Sequence, residues 1–375
     1  MIRIGIFGTS CKKHEKRIPL HPAFFDKIPN EIKKSLIFEK GYASALGVDD
    51  SQILEQFGGV ASRADLFEKS DVWILPKPEK EDFKYFKEGK ILWGWPHCVQ
   101  GVEIAQAAID AKMTLIAWEA MYGGADNTHI FYKNNELAGY AAVQHMMMLT
   151  GKTGCFGRPL KAAVLGFGAT ARGAINSLKS LGIVDITVYS QRAEFLLNAP
   201  IESIKYKRMK RVEGSTLLES AKYRDFSLAA EVLSQYDIVV NCVLQDPTNP
   251  IMFIDKGQID FINKQMDIID ISCDKGMGFY FARPTCFDFP KFKHGEYINY
   301  YSVDHTPTLY WDSASFEVTK SIIDFIEHFV DGSWMNNPIL MKATEIKNGI
   351  VLNDKIIKFQ NRDKTPPYLK INNVT

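Results

Sequence analysis

The sequence predicts an α/β protein of two doubly wound domains with a cleft between them, the first domain being discontinuous. Three observations carry this reading. Short apolar runs alternate with amphipathic helical stretches along most of the 375 residues, which is the pattern of parallel strands joined by crossover helices. In mid-chain an apolar run passes into Gly166-Phe-Gly-Ala-Thr-Ala-Arg-Gly173 and then into a helix, a turn whose glycines let backbone N–H groups approach a pyrophosphate. After a second series of strands, a helical stretch over 313–330 would return the chain to the first domain. The expected division is 1–137 with 310–375 as a substrate and catalytic domain, and 138–309 as a Rossmann-like NAD(P)-binding domain.

Taken in order, residues 2–8 open as a buried strand, and apolar runs at 35–39, 71–75, 91–94 and 114–117 supply four more. Helical stretches sit between them at 22–34, 50–57, 63–68 and 102–111. Residues 138–142 enter an apolar helix in which Met146, Met147 and Met148 read as core filler. In the second domain the helix after the glycine turn covers 171–181, and Ala171 and Gly173 keep it slim against the sheet. Further strands are expected at 185–189, 237–243, 267–271 and 300–303, while the basic run 205–211 reads as a solvated face. The tail, 346–359, alternates around Asn353 and Asp354 like a hairpin.

Composition narrows the function. Lys+Arg 45 against Asp+Glu 44 leaves a net charge of +1. Without a basic block, small molecules are expected as partners, not nucleic acid or a membrane surface. The six cysteines are scattered without a CxxC spacing, and no signal-peptide pattern opens the chain. They read as reduced thiols of a cytoplasmic protein with no metal site. No apolar run reaches the roughly 18 residues that a membrane span needs.

A polar or ionisable residue follows four of the first domain's strands: Arg17, Lys77, His97 and Glu119. In a parallel sheet such positions share the edge at which α/β folds bind ligands. Each alone could be a solvated side chain or a satisfied loop residue. Their recurrence marks them as a set.

At this point Glu15-Lys-Arg-Ile-Pro-Leu-His-Pro22, Ser62-Arg-Ala-Asp-Leu-Phe67, Lys77, Gly94-Trp-Pro-His97 and Ala138-Gly-Tyr-Ala141 join the glycine turn, Asp270-Ile-Ser-Cys-Asp274 and Val303-Asp-His-Thr-Pro307 in one series. The series resembles the alanine dehydrogenase, saccharopine dehydrogenase and transhydrogenase superfamily over roughly residues 1–330. Within it the (carboxyethyl)ornithine synthases are most similar, through Gly94-Trp-Pro-His97, Phe131-Tyr-Lys-Asn134 and Asp304-His-Thr-Pro307. Such opine-forming enzymes join a 2-oxo acid to an amino acid's amine and reduce the imine with NADPH. The resemblance implies that Arg17 holds the oxo acid's carboxylate, for which a planar guanidinium is suited. It implies that Lys77 and His97 form the acid–base pair and that Glu119 and Asp274 line the site. Asp304 and His305 would lie near the nicotinamide. A lysine partly desolvated beside an arginine should have a lowered pKa, and a histidine side chain titrates near neutrality.

Gly166, Gly168, Ala169, Thr170 and Ala171 of the turn, with Cys242 after a later strand, are the expected cofactor contacts. The end of the next strand reads Tyr189-Ser-Gln-Arg192. NAD-specific folds place an acidic residue there to bind the ribose hydroxyls. Here Ser190 and Arg192 could instead meet a 2′-phosphate, so NADPH is expected in preference to NADH. Two other enzymes fit less of this pattern, a saccharopine dehydrogenase and an alanine dehydrogenase-like enzyme using ammonia. A nucleotide-binding homologue without chemistry would have no physical reason to keep Arg17, Lys77 and His97 together. The identity of the oxo acid and the amine is open, as is the oligomeric state, with which a homo-oligomer is compatible.

Overall fold

The computed structural model describes residues 2–371 apart from 125, 194–195, 213, 221–224, 246–248 and 273–274. Its first six strands are β1 (Ile4–Ile6), β2 (Leu36–Glu39), β3 (Gly59–Ala61), β4 (Val72–Ile74), β5 (Ile91–Gly94) and β6 (Thr114–Ala117). β3 is a three-residue edge strand that hydrophobic patterning does not reveal. Helices α1 (Asp50–Gln56), α2 (Arg63–Lys69) and α3 (Val102–Asp110) lie between strands. Ser62 caps α2 by accepting from Asp65 N–H, the local signal that starts a helix. The stretch 22–34 is not one helix. It is a 3-10 segment, Pro22–Lys27, followed by a single turn, Asn30–Lys33, because Pro29 cannot continue a helix.

Contacts divide the chain into two compact units, Met1–Tyr132 with Tyr310–Thr375, and Lys133–Leu309. In the second unit α4 (Tyr132–Thr150) leads to β7 (Lys161–Leu165), α5 (Ala169–Ser180), β8 (Asp185–Ser190), β9 (Lys205–Val212), β10 (Ser215–Glu219) and β11 (Phe226–Leu228). There follow β12 (Ile238–Asn241), β13 (Met266–Asp270), β14 (Lys291–His294) and β15 (Ile298–Tyr301). The basic run 205–211 is therefore a strand, β9, paired in parallel with β8, although most of its side chains are exposed. Met146 and Met147 are buried, but Met148 is 78% exposed and fills no core. Gly173 serves a different contact from the expected one: a Cβ there would meet the Glu136 carbonyl of α4, not the sheet.

The chain returns to the first unit through α6 (Trp311–Ile322) and ends in β16 (Thr344–Lys347), β17 (Ile350–Val351) and α7 (Asp354–Gln360). The tail does contain a hairpin, but its turn lies at Asn348-Gly349, where both residues have positive φ. Asn353 instead caps α7 by accepting from Lys355 N–H. Among the described residues, the first unit's sheet has the order β17-β16-β6-β5-β4-β1-β2-β3 and the second unit's β11-β10-β9-β8-β7-β12-β13-β15-β14. In each, the central strands are parallel and the chain reverses its direction of travel across the sheet, at β1/β4 and at β7/β12. Ligands of open α/β sheets bind at such switch points.

Candidate functional site

β4, β5 and β6 are neighbours and run parallel, so the loops leaving their C-terminal ends lie side by side. Lys77, His97 and Glu119 follow these three strands, and their side chains meet. Lys77 Nζ is 2.7 Å from His97 Nε2. Glu119 Oε1 accepts the His97 backbone N–H at 2.6 Å and lies 3.5 Å from His97 Nδ1. His97 has φ of +48°, a left-handed conformation that costs a non-glycine residue roughly 1–2 kcal/mol. The surrounding bonds must hold it there.

Arg17 comes from the loop after β1, next to β4. Its side chain is 3% exposed, and Glu15 clasps it, taking Nε at 2.8 Å and Nη2 at 2.5 Å. The guanidinium stacks 4.7 Å from the centre of the Trp95 ring, and Lys77 Nζ lies 5.7 Å from the same ring. Trp95 packs in turn on Trp118 and Phe131. This aromatic floor buries the Arg17 guanidinium, while Lys77 beside it is half-buried.

Lys77 is lowered to about 8, first by burial and then by the Arg17 charge, with Glu15 and Glu119 opposing. Glu119 is raised to about 8 by burial and by Glu345, although backbone hydrogen bonds and Lys77 pull the other way. Burial would also raise Glu15, but the Arg17 charge and hydrogen bonds overcome it and hold that carboxyl at about 2. Glu119 Oε2 and Glu345 Oε2 are buried with no hydrogen-bond partner among the described residues. Glu15, Trp95 and Glu345 were not singled out from the sequence. The first two sit inside the motif segments, whereas Glu345 lies on β16, in a tail whose pairing with β6 has no local signal.

In the second unit Gly166 has φ of +90°, and a Cβ there would stand 3.3 Å from the Cys242 carbonyl. Cys242 N–H donates to Leu165 O at 3.0 Å, tying the two strand ends together. Its thiol is pushed up by burial and then by Asp270. Gly168 is the N-cap of α5, with no side chain capping the helix and open space where a Cβ would be. Ala169, Thr170 and Ala171 form the first turn. Uncapped amides behind an open glycine, with the positive end of a helix dipole, fit a pyrophosphate.

At the end of β8 the Ser190 hydroxyl accepts Arg192 N–H at 3.1 Å. Arg208 of β9 stands in register with Ser190 and is exposed, a basic neighbour that no local pattern in the run 205–211 reveals. Beyond β15, Asp304 and His305 pair with each other, Oδ1 to Nδ1 at 2.7 Å, and His305 takes φ of +41°. Asp274 lies outside the described residues. No described helix is long and apolar enough to cross a membrane.

The family model described as "Alanine dehydrogenase/PNT, C-terminal domain" matches residues 135–354. The chain is 24% identical over 340 residues to an N(5)-(carboxyethyl)ornithine synthase of Lactococcus lactis subsp. lactis, covering 87% of this chain and 96% of that one. It is 21% identical over 378 residues to an alanine dehydrogenase of Mycobacterium tuberculosis, covering 95% and 96%. A solved L-alanine dehydrogenase shares the fold with a TM-score of 0.74 at 15% identity, covering 96% of this chain and 99% of that one.

Proposed function

Because the chain belongs to the alanine dehydrogenase/PNT family, we propose that it condenses a 2-oxo acid with the amine of an amino acid and reduces the imine with NADPH. It is an NAD(P)-dependent oxidoreductase acting on amino-acid CH–NH groups. The observation that carries the finer reading is the contact of Lys77 with His97, backed by Glu119 and flanked by Arg17.

Condensation needs an uncharged amine, a proton for the carbonyl oxygen and a path for the water that leaves. Lys77, held at about 8, can exchange a proton near neutral pH. His97, touching Lys77 through Nε2, is placed to take the proton from the incoming ammonium or to return it to the departing oxygen. Glu119 orients His97 through the backbone N–H. Arg17, its plane fixed by Glu15 and Trp95, supplies positive charge for a substrate carboxylate. The bound nicotinamide would supply the hydride that converts the imine carbon to a secondary amine. The glycine turn at Gly166 and Gly168 and the first turn of α5 would hold its pyrophosphate. Ser190 and Arg192, with Arg208 beside them in register, favour a 2′-phosphate over a bare ribose.

The test is a substrate screen followed by NADPH absorbance, with mass spectrometry of the product. Pyruvate or 2-oxoglutarate should be consumed with ornithine or lysine to give a secondary amine. Turnover with ammonia alone would make the protein an alanine dehydrogenase-like enzyme instead. Lys77→Met and His97→Gln should each lower kcat by about 100-fold or more, and wild-type turnover in both would remove them from the chemistry. Arg192→Ala should erode the preference for NADPH over NADH, and an unchanged ratio would refute that assignment.

A further inference from the structure

The turn bearing His97 is held from behind by the C-terminal segment of the same unit. Gln360, the last residue of α7, is 7% exposed. Its Nε2 donates to two successive carbonyls, Cys98 O at 2.7 Å and Val99 O at 3.1 Å. Its Oε1 accepts from Arg362 Nε at 2.7 Å. Arg362 can only donate, so this contact fixes which end of the Gln360 amide faces the turn. Arg362 is itself 3% exposed. Its Nη1 donates to Gln106 Oε1 at 2.6 Å and to Tyr368 O at 3.0 Å, and its Nη2 donates to Val102 O at 3.4 Å. The network therefore joins the tail to α3, which follows the same turn.

His97 needs such support because its backbone is in the left-handed region. Before it, Glu119 takes its N–H, and after it Gly101 N–H donates to His97 O at 2.7 Å. The Cys98 and Val99 peptides between these anchors are set by Gln360. Any tilt of those peptides swings the imidazole relative to Lys77 and Glu119, titratable groups that face it. Arg17 and Glu15 lie beyond Lys77, and Cys98 and Glu345 lie behind Glu119.

We infer that Gln360 is a positioning residue for His97 and that the segment 344–371 clasps the acid–base turn. The inference rests on the assignment of His97 as an acid–base group, and its test also has a readout that does not depend on turnover. In the full-length protein, the His97 ring is followed by NMR across a pH titration, with His97→Gln assigning the signal. Melting temperature and NADPH affinity are measured alongside. Gln360→Met keeps the volume and removes the donor. It should move the His97 titration and lower kcat by about 10- to 100-fold, the scale of an ångström's misplacement, with NADPH affinity unchanged. Gln360→Glu is isosteric and a better partner for Arg362, but it turns an acceptor toward the two carbonyls. It should shift His97 as well, whereas a residue that only filled space or satisfied Arg362 would tolerate it.

A wild-type His97 titration and kcat in both variants would overturn the inference. So would a loss of kcat that only tracks the folded fraction. Should Gln360→Met fail to fold, Arg362→Lys, which releases the Gln360 amide, is measured the same way, and an unmoved His97 there overturns it equally. If wild-type protein turns over none of the oxo acid and amine pairs, the proposed reaction fails while the His97 titration still decides this point.

Discussion

Replacing Gly173 by alanine should destabilise the second unit more than an ordinary helix substitution, and the structure sets the size of the effect. A Cβ on Gly173 would stand 1.7 Å from Glu136 O, and one on Gly139 would stand 1.9 Å from Thr170 O. A carbon normally approaches a carbonyl oxygen no closer than about 3.3 Å. The α4 and α5 backbones would therefore have to part by about 1.5 Å. Both opposing atoms are backbone, so no flexible side chain can yield, and the cost belongs at the upper end of overpacking, ~3 kcal/mol. For a unit of this size each kcal/mol lowers the melting temperature by about 2–4 °C, giving a fall of roughly 6–12 °C. Because α5 starts at Ala169, directly after Gly168, the same displacement should weaken binding of the nicotinamide cofactor. Calorimetry and fluorescence titrations with NADPH and NADH measure the two effects. Gly139→Ala with Gly173→Ala should cost less than the sum of the single changes, since one separation of the helices relieves both clashes. A Gly173→Ala protein melting within about 1 °C of wild type, or strictly additive costs, would refute the close-packing argument.

Three further outcomes follow from the first unit. Arg17→Met removes the positive neighbour that, after burial, holds Lys77 at about 8. The Lys77 pKa should rise, and the limb of the pH–rate profile that needs a neutral lysine should move to higher pH. An unmoved limb would show that Arg17 does not act on Lys77. Glu345→Gln removes the negative neighbour that, after burial, raises Glu119. Ionisation of Glu119 then becomes easier, so its pKa should fall from about 8 and its limb should shift to lower pH, with no shift counting against the coupling. Asn353→Ala deletes the α7 cap and the 2.9 Å hydrogen bond to Glu345 Oε1. It should cost about 1 kcal/mol, read as a lower melting temperature.

Lys77, His97 and Glu119 were legible because three successive apolar runs each end in an ionisable residue, and parallel neighbours bring such ends together without long-range information. The glycine turn was legible because its glycines sit between a strand and a helix. The sequence does not say what a small residue faces. Gly173 could have served the sheet, and only the approach of α4 shows that it accommodates the Glu136 carbonyl. Glu15 looked like one more charge in a polar loop, since nothing local reveals that Arg17 is buried over Trp95. In the tail, Asn348-Gly349 is the stronger turn signal, as both positions tolerate positive φ. The alternation around Asn353 hid it, and Asn353 is a helix cap. Gln360 was invisible for a different reason: its partners, Cys98 and Val99 O, lie 262 and 261 residues away in the chain.

The convergence of Lys77 and Glu119 bears directly on the proposed chemistry. At their ordinary values of 10.5 and 4.5 the two groups differ by six pH units. Moving a proton from the lysine to the carboxylate would then cost ~8 kcal/mol, all of it added to the barrier of any later step that needs the neutral lysine. Burial disfavours both charges, and each group has a like-charged neighbour, Arg17 for the lysine and Glu345 for the carboxylate. The two shifts run toward each other, the lysine down and the carboxyl up, and so narrow the gap between the ammonium–carboxylate and amine–carboxylic acid forms. They also carry the same net charge, so the half-buried site need not gain or lose charge as the proton moves. The apparent values belong to the pair, not to either residue alone. His97 stands between them, with Nε2 at Lys77 and Nδ1 toward Glu119. A ring so placed can accept at one nitrogen and donate at the other. The narrowed gap between the two forms is usable only while the imidazole keeps that orientation, which is why the support of its turn matters as much as the shifts on either side.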